Sequence, residues 1–317
     1  MNTEILACVV AASLLAACNN APGSNACRVG ADCASGVCLP DGTCGTSFND
    51  AGFDTDASPS IDAPVSCTTL DGVITREEFP LSAGRMATFR VGVDAGVSSA
   101  GTMNPDGTRS WNFTGVMNGD RDVSYETKSV AGEWFASAFP TATFASRLNT
   151  NDTGVEALLG VYEATPTALR LLGVVSRHPG LDRTELTYTP PVEVIRFPLE
   201  QPMSWNEGTQ ISGYVTLPPS DLLPLGYQGY VVPYPAQYEI AVDASGTVET
   251  PGGMFPALRV RTLTTTTITV GLVEYVFTNR THQFVSQCVG IVANLVSNEG
   301  EADVEFTTAA EAWRVGP

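Results

Sequence analysis

Positively charged side chains are scarce in this chain of 317 residues. Lys and Arg number 16 against 34 Asp and Glu, only two histidines are present, and the formal net charge is −18. Lys128 is the only lysine. Because an acidic surface repels phosphate groups, nucleic acid and anionic phospholipid are poor partners for this protein.

Sequence motifs of known catalytic sites are also absent. The chain has no Gly-x-Ser-x-Gly, no His-Glu-x-x-His and no glycine-rich phosphate loop followed by Lys. His178 and His282 each lie beside a predicted turn, where a solvated side chain is a better interpretation than a Ser-His-Asp site. Glutamates such as Glu193, Glu200 and Glu207 could supply a glycosidase pair, but so many acidic residues make any one pair uninformative. We therefore predict no enzymatic activity and no cofactor.

Long apolar runs are missing after Cys18, where no stretch approaches the roughly 18 residues of a transmembrane helix. The apolar run near the amino end, Ile5–Ala17, is too short to span a bilayer. It ends in Leu15-Ala16-Ala17-Cys18, and small residues before a cysteine are typical of a processing site. The basic residues expected before such a run are absent from Met1–Glu4.

This tetrapeptide resembles the lipobox of bacterial lipoproteins. The resemblance implies that residues 1–17 are a signal peptide, that Cys18 receives a diacylglycerol, and that its new amino group is acylated, for example with palmitate. Two or more acyl chains, at about 0.8 kcal/mol per buried methylene, hold a protein stably on a membrane. Asn19 stands where an aspartate would retain some lipoproteins at the inner membrane, which favours the outer membrane. A cleaved signal without lipid is the alternative, and the face of the membrane stays open.

Six cysteines remain to pair if Cys18 is lipidated and Cys8 is removed. A secreted chain meets an oxidising compartment, where disulfides are the default. Four of the six fall within residues 27–44, a stretch with so few large apolar side chains that only cross-links can give it shape. Two disulfides are favoured over zinc, whose ligand pairs are usually closer in sequence. The four are Cys27, Cys33, Cys38 and Cys44, spaced C-x5-C-x4-C-x5-C.

The connectivity of these four cysteines is open, with a weak preference for Cys27–Cys38 and Cys33–Cys44. The run from Ala31 to Cys44 resembles the short cysteine-rich modules of myxobacterial-type surface lipoproteins. That resemblance covers only these residues and names no ligand.

The last two cysteines, Cys67 and Cys288, lie near the two ends of the main domain. We predict a disulfide between them, with two free thiols as the alternative. Closing so long a loop would stabilise the fold by roughly 5 kcal/mol at most.

Residues 45–65 are rich in Asp, Ser, Gly, Pro and Thr. Such a composition cannot bury a core, so we predict a disordered acidic linker that spans roughly 25 Å on average. The linker acids lack the glycine and the closing glutamate of a calcium loop, and residues 118–122 are better interpreted as a polar turn. We therefore predict no metal site.

Segments that alternate apolar and polar residues recur through residues 66–317, for example at 87–92 and 237–242. Pro and Gly interrupt them at short intervals. Only two short pieces, 155–160 and 309–314, follow a helical period. We predict a mainly β fold, an antiparallel β-sandwich or a curved half-barrel sheet.

One hairpin can be predicted in detail. Residues 247–250 lead through Pro251-Gly252-Gly253 into a second strand, 255–262. Gly252 and Gly253 are expected to supply the positive φ angles of the turn.

The surroundings of this hairpin carry a second resemblance. Phe197-Pro198-Leu199 and Trp205 precede it, and a glycine-containing strand, 287–292, follows it. Residues 195–296 thereby resemble secreted β-domains of Gram-negative bacteria, including the curved sheet of LolA-like carriers. The resemblance implies a fold and not an activity.

Four of the nine tyrosines fall within twelve residues, with Pro233 and Pro235 between them. Tyrosines on a proline-stiffened loop can form a contact surface for a sugar or a protein. The alternative is a loop that buries its rings on the sheet. The candidates are Tyr227, Tyr230, Tyr234 and Tyr238.

Together these patterns predict a lipoprotein anchored in the outer membrane through its lipid, which displays a β-domain for binding or for a structural role. One alternative is a LolA-like carrier of an apolar ligand, and another is a hydrolase with an unrecognised site. A protein or a carbohydrate is the expected ligand. The predicted organisation is a signal peptide (1–17), a lipidated tether (18–26), a two-disulfide module (27–44), a linker (45–65) and an all-β domain (66–317).

Overall fold

The computed structural model describes residues 71–149, 157–180, 183–217, 227–270 and 273–317. Within these ranges the chain forms fourteen β-strands and no α-helix. The predicted signal peptide, tether, cysteine module and linker lie outside the described residues. In chain order the strands are β1 (Met86–Gly96), β2 (Thr102–Met103), β3 (Arg109–Asn112), β4 (Arg121–Lys128), β5 (Phe144–Arg147), β6 (Leu158–Ala164), β7 (Ala168–Ser176), β8 (Glu185–Arg196), β9 (Met203–Leu217), β10 (Tyr227–Thr250), β11 (Gly253–Val270), β12 (Val273–Ser286), β13 (Gly290–Ser297) and β14 (Thr308–Val315).

Twelve of these strands form one closed antiparallel sheet, in the order β1, then β4 through β14, and back to β1. Phe89 of β1 lies opposite Val315 of β14, so strands from the two ends of the domain are neighbours. The predicted mainly β, antiparallel fold is confirmed. The sheet curves further than a half-barrel and closes on itself, because both the β14–β1 and the β10–β11 pairings form.

The inner face of the closed sheet is filled by large side chains. They form one contiguous buried cluster that includes Phe89, Phe144, Leu171, Ile240 and Trp313. Each fully buried Leu, Ile or Phe side chain contributes about 1.5–3 kcal/mol relative to an exposed one. This interior is the main source of stability of the domain.

Residues 129–143 cover the outer face of β5, β6 and β7. Phe135 and Phe139 from this segment pack with Val161, Leu172 and Val175 in a second hydrophobic cluster. Strands buried on both faces lose the alternation of apolar and polar residues. This is why β6 and β7 have nearly continuous apolar sequences.

A second cover comes from the residues between β1 and β4, which include β2 and β3. Strand β3 pairs in parallel with the end of β10, and Trp111 and Phe113 pack against Phe284 of β12 at ring distances of 4.9 and 5.3 Å. The guanidinium of Arg314 donates hydrogen bonds to the carbonyls of Phe113 and Gly115. This segment therefore forms an outer layer over β12–β14.

The two short pieces with a helical period form no helix in the part of the chain that the structure describes. Residues 309–314 lie in β14 between β13 and β1, and residues 158–160 begin β6. Burial on both faces removed the alternation that marks a half-buried strand. No helix in the described part of the chain is long and apolar enough to cross a membrane.

The β10–β11 hairpin turns where it is expected, with Thr250 opposite Gly253. Gly253 has a φ of 135°, as the turn requires. Gly252 does not have a positive φ, so the prediction is wrong for this glycine. A Cβ at this position would lie 2.3 Å from the carbonyl oxygen of Gly316, so the close approach of the chain after β14 is what requires glycine.

Candidate functional site

Two hairpins project from one end of the closed sheet. Strand β10 pairs with β9 from Tyr227 onward, but it pairs with β11 only from Ala236, which lies opposite Thr266. Beyond that point the β9–β10 and β11–β12 hairpins separate. We call residues 213–217 with 227–235 the first arm, and residues 267–270 with 273–276 the second arm.

The four candidate tyrosines all lie on β10, so the prediction of a loop is wrong. A β-bulge between Val231 and Tyr234 accommodates the prolines within the strand. Tyr230 is 74% exposed and Tyr227 is 40% exposed, whereas Tyr238 is buried in the core. Burial raises the pKa of the Tyr234 phenol above its ordinary value. The structure thus separates an outer pair of tyrosines from an inner pair, and the ligand role of all four stays a prediction.

The arms expose further apolar side chains. Val232 on the first arm is 83% exposed, and Val273 and Val276 on the second arm are 53% and 60% exposed. On the first arm the Tyr227 hydroxyl donates to the carbonyl of Tyr230 at 2.6 Å, which fixes its ring along the strand. The arms are therefore an apolar surface that the folded body does not cover.

The sequence also marks the arms by a scarcity of charged residues, which the tyrosine pattern does not reveal. Between Gly208 and Tyr238 the only charged residue is Asp221. Between Thr262 and Asn279 it is Glu274. In the whole chain 16% of residues are charged, so both stretches are strongly depleted in charge. Such depletion is typical of the core of an interaction surface.

The described chain begins at the opposite end of the closed sheet, which we call the base. Ile74 forms a β-bridge with Leu199, in the turn from β8 to β9. The backbone N–H of Cys288, in the turn from β12 to β13, donates to the carbonyl of Glu78 at 2.8 Å. Since β9 starts at the base and reaches the first arm, the amino-terminal side of the domain and the arms lie at opposite ends.

Most of the cysteine predictions cannot be placed, because Cys18, Cys67 and the residues 27–44 lie outside the described residues. Cys288 is the one predicted disulfide residue within them. It has a φ of 63° and lies beside the segment that leads into the domain. The pairing of Cys67 with Cys288 stays a prediction.

The two histidines have different environments. His178 is exposed in the turn after β7, as predicted. The prediction of a solvated His282 is wrong, because this side chain is wholly buried on β12 against Phe306. Burial, and then the nearby charge of Arg259, lower the pKa of His282 to about 3. Neither ring nitrogen has a hydrogen-bond partner among the described residues, so His282 forms no Ser-His-Asp arrangement with any of them.

The backbone pairing of β8 with β9 ends at Thr189, which lies opposite Gln210. Beyond this pair the two strands separate, and a recess of about 390 Å³ opens there. Side chains bridge the gap, since Trp205 Nε1 donates to the carbonyl of Glu193 and Thr209 Oγ1 to the carbonyl of Pro190, each at 2.7 Å.

Charged groups line this recess. Arg196 donates to Glu193 at 2.8 Å and to Glu207 at 2.6 Å, and Arg170 donates to Glu193 at 2.9 Å. The structure thus brings together two of the three glutamates considered from the sequence, and Glu200 does not join them.

The pKa values of the two glutamates are shifted in opposite directions. Burial acts to raise the pKa of Glu193, but hydrogen bonds from Arg170 and Arg196 bring it below its ordinary value. Burial raises the pKa of Glu207. Opposite shifts are typical of acid–base pairs. Here, however, the guanidinium of Arg196 binds both carboxylates, so Glu193 and Glu207 belong to one ion-pair network.

The acidic turn at residues 118–122 is also accounted for by ion pairs. Arg314 binds Asp120, whose carboxylate also accepts the backbone N–H of Met117 at 3.0 Å. Arg90 lies 3.8 Å from Asp122. The carboxylates of the turn are thus used to hold the outer layer on β14 and β1.

No protein-family model, curated protein or solved structure matches this chain. Its function is therefore inferred from the arrangement of its own residues.

Proposed function

We propose that this protein is a bacterial lipoprotein, anchored in the outer membrane through Cys18, that displays its closed β-domain for binding at the cell envelope. The observation that carries the proposal is the opposite placement of the two ends of the domain. The chain arrives from the lipobox side at the base, and the uncovered apolar arms are at the far end.

This geometry suits a displayed binding domain. A lipid on Cys18 and the acidic segment before residue 71 would hold the base toward the membrane. Tyr230 and Val232, both strongly exposed, would then be directed away from it. Apolar side chains clustered on an exposed surface are typical of interaction sites.

A disulfide between Cys67 and Cys288 would secure this orientation. Glu78 is held to the backbone of Cys288, and the eleven positions from Cys67 to Glu78 can span up to roughly 36 Å when extended. The reach is therefore sufficient for the bridge. It would fix the incoming chain to the turn between β12 and β13.

A carrier of an apolar ligand has less support. Such a function needs a cavity inside the sheet, whereas inner-face side chains such as Phe89, Tyr162 and Leu171 belong to one contiguous buried cluster. The arms lie outside this cluster. Binding through the arms requires no rearrangement of the core.

Intact-mass spectrometry of the protein extracted from bacterial membranes tests the proposal. We expect a mature chain that starts at Cys18 with three acyl chains, and three disulfides detected by alkylation before and after reduction. Cys18→Ser is the matched control, and it should yield an unacylated chain that leaves the membrane fraction. A wild-type chain that starts at Met1, or carries no lipid, would refute the anchor.

A further inference from the structure

The recess between β8 and β9 is a gap in the wall of the closed sheet. The pairing of β8 with β7 skips residues 188–191, so this part of β8 bulges out of the ladder. Pro190 and Pro191 lie in the bulge, and because they have no backbone N–H they cannot continue the pairing with β9. The structure describes both strands and the turn between them without interruption, residues 183–217.

Glu207 is a charged residue at an inward-facing position of β9. Side chains two residues apart in a strand share a face, and on this face Trp205, Thr209 and Ile211 are buried. The Glu207 side chain is itself only 15% exposed. Apolar residues usually occupy such positions, and replacing a buried ion pair by apolar groups is often neutral or stabilising. Stability alone therefore gives no reason for a carboxylate at this position.

The charges around the recess do not balance. The guanidiniums of Arg170 and Arg196 face three carboxylates, those of Glu163, Glu193 and Glu207. Arg196 donates to Oε1 of Glu207 at 2.6 Å, and no described residue donates to Oε2. Burial raises the pKa of Glu207 above its ordinary value, and the hydrogen bond from Arg196 does not compensate for it. The network thus retains one negative charge and one carboxylate oxygen without a partner.

These properties suit a cation that is carried on an apolar stem. A positive charge beside Oε2 of Glu207 would complete the network, whereas an anion would meet a surplus of carboxylates. Pro190 and Pro191 line the recess and offer ring surface to methylene groups. The volume of about 390 Å³ lies within the range of sites for small organic ligands. The net charge of −18 also attracts cations to this protein.

We propose that the recess is a binding site for an organic cation, an ammonium or guanidinium group on an apolar stem, with the carboxylate of Glu207 as its main contact. Arg196 holds this carboxylate in place and lies over the ring of Trp205, 5.5 Å from its centroid. Free amines and the basic residues of peptides both carry such a group. The site goes beyond the proposed function, since it is separate from the arms and needs no lipid anchor.

Isothermal titration calorimetry of the full-length protein tests the site, with Nα-acetyl-lysine methylamide as the probe. We expect saturable binding of one probe per chain with a dissociation constant below about 1 mM. Nα-acetyl-norleucine methylamide has nearly the same stem without the charge and should bind at least about tenfold more weakly. Equal affinities of the two probes would overturn the proposal, and so would the absence of saturable binding of the lysine probe.

Glu207→Gln should weaken binding of the lysine probe at least about tenfold. Glu200→Gln is the matched control, because Glu200 is exposed in the turn from β8 to β9 and its replacement changes the net charge equally. This variant should bind the probe as wild type does. Unfolding temperatures close to wild type show that both variants fold. Equal weakening in the two variants would show attraction to the net charge alone and would overturn the site.

The pH dependence of the wild-type affinity is a second measurement that needs no variant. The charged groups that face Glu207 are Arg170, Arg196 and Glu193. Since the pKa of Glu207 lies above its ordinary value near 4.5, at least half of this carboxyl is protonated at pH 4.5. The affinity should therefore fall at least about twofold between pH 7 and pH 4.5, with circular dichroism as the check that the protein stays folded. A constant affinity would overturn the role of Glu207.

Further probes identify the source of the cation. Spermidine represents free amines, and an Ala-Lys-Ala peptide with blocked ends represents basic residues of peptides. Either one binding more tightly than the lysine probe supports the site and names its class of ligand. Displacement of the lysine probe by an equal concentration of Mg²⁺ at constant ionic strength would overturn the proposal in favour of a metal ion.

Discussion

Arg259 and Glu305 form an ion pair in which Nη2 of the arginine lies 2.7 Å from Oε1 of the glutamate. The arginine side chain is only 2% exposed, and its Nε also binds Asp243 at 2.9 Å. The pair joins β11 to the segment that leads from β13 to β14. This segment covers His282 through Phe306.

Replacing Glu305 by Gln should lower the free energy of unfolding by about 2 kcal/mol at neutral pH, because a buried guanidinium loses one of its two carboxylates. Glu301→Gln is the control in the same segment, since the Glu301 carboxylate accepts one backbone hydrogen bond, from Asp303. It should change stability by less than about 0.5 kcal/mol. Urea unfolding measures both, and equal losses would contradict the role of the Arg259 pair.

His282 should make the domain acid-sensitive. The neutral imidazole is favoured in the folded state, where its pKa is about 3. The groups that act on it are Arg259, Arg261, Arg280 and Glu305. Since the unfolded imidazole titrates near about 6.5, the unfolded chain binds more protons below that pH. The stability present above pH 6.5 is thus lost as the pH falls toward 3, by about 2 kcal/mol at pH 5.

Unfolding midpoints between pH 7.5 and pH 4.5 test this dependence. His282→Gln should be less stable than wild type at neutral pH but should lose less stability on acidification. His178→Gln changes an exposed histidine and should retain the wild-type pH dependence. An unchanged slope in His282→Gln would show that another group controls the acid response.

Two buried threonines should respond oppositely to the same substitution. The hydroxyl of Thr266 is buried with no hydrogen-bond partner in the described part of the molecule. Thr266→Val removes an unsatisfied polar group and should stabilise the domain by about 1 kcal/mol. Thr209 Oγ1 donates to the carbonyl of Pro190 at 2.7 Å, and Thr209→Val should destabilise by about 1–2 kcal/mol. Urea unfolding measures both, and a loss of stability in Thr266→Val would indicate a partner for its hydroxyl.

Gly246 allows β3 to pair with β10. A Cβ at this position would lie 1.8 Å from the carbonyl oxygen of Arg109, a backbone atom that cannot move without breaking the parallel pairing. Gly246→Ala should cost about 3 kcal/mol and should increase hydrogen exchange in residues 109–112. Gly115→Ala, where a Cβ meets nothing within 4 Å, should be neutral. Unchanged exchange in β3 would contradict the pairing.

Local patterns predicted the local structure well. The alternating segments at 87–92 and 237–242 lie in β1 and β10, and the turn at Pro251–Gly252 joins β10 to β11. Closure of the sheet has no local signal, because it depends on the pairing of β1 with β14. Residues 309–314 of β14 lack the alternation of a half-buried strand because a second layer buries the outer face of that strand.

The candidate site was only partly predictable. The tyrosine cluster located the first arm, but its sequence did not show that Tyr238 turns inward while Tyr230 stays in solvent. That difference follows from where β10 leaves β11, a property of strand lengths in three dimensions. Glu193 and Glu207 came together for a similar reason, since the separation of β8 and β9 creates the recess they share.

Strand β14 fills the place between β13 and β1, and this has a consequence for the order of folding. A chain that is synthesised amino end first presents β1 long before its neighbour Thr308–Val315 arrives. Until then β1 and β13 remain open edges, which are the surfaces that aggregate. Folding of this domain should therefore wait until β14 has been synthesised, and until then the unfinished ring should be the state most prone to aggregation.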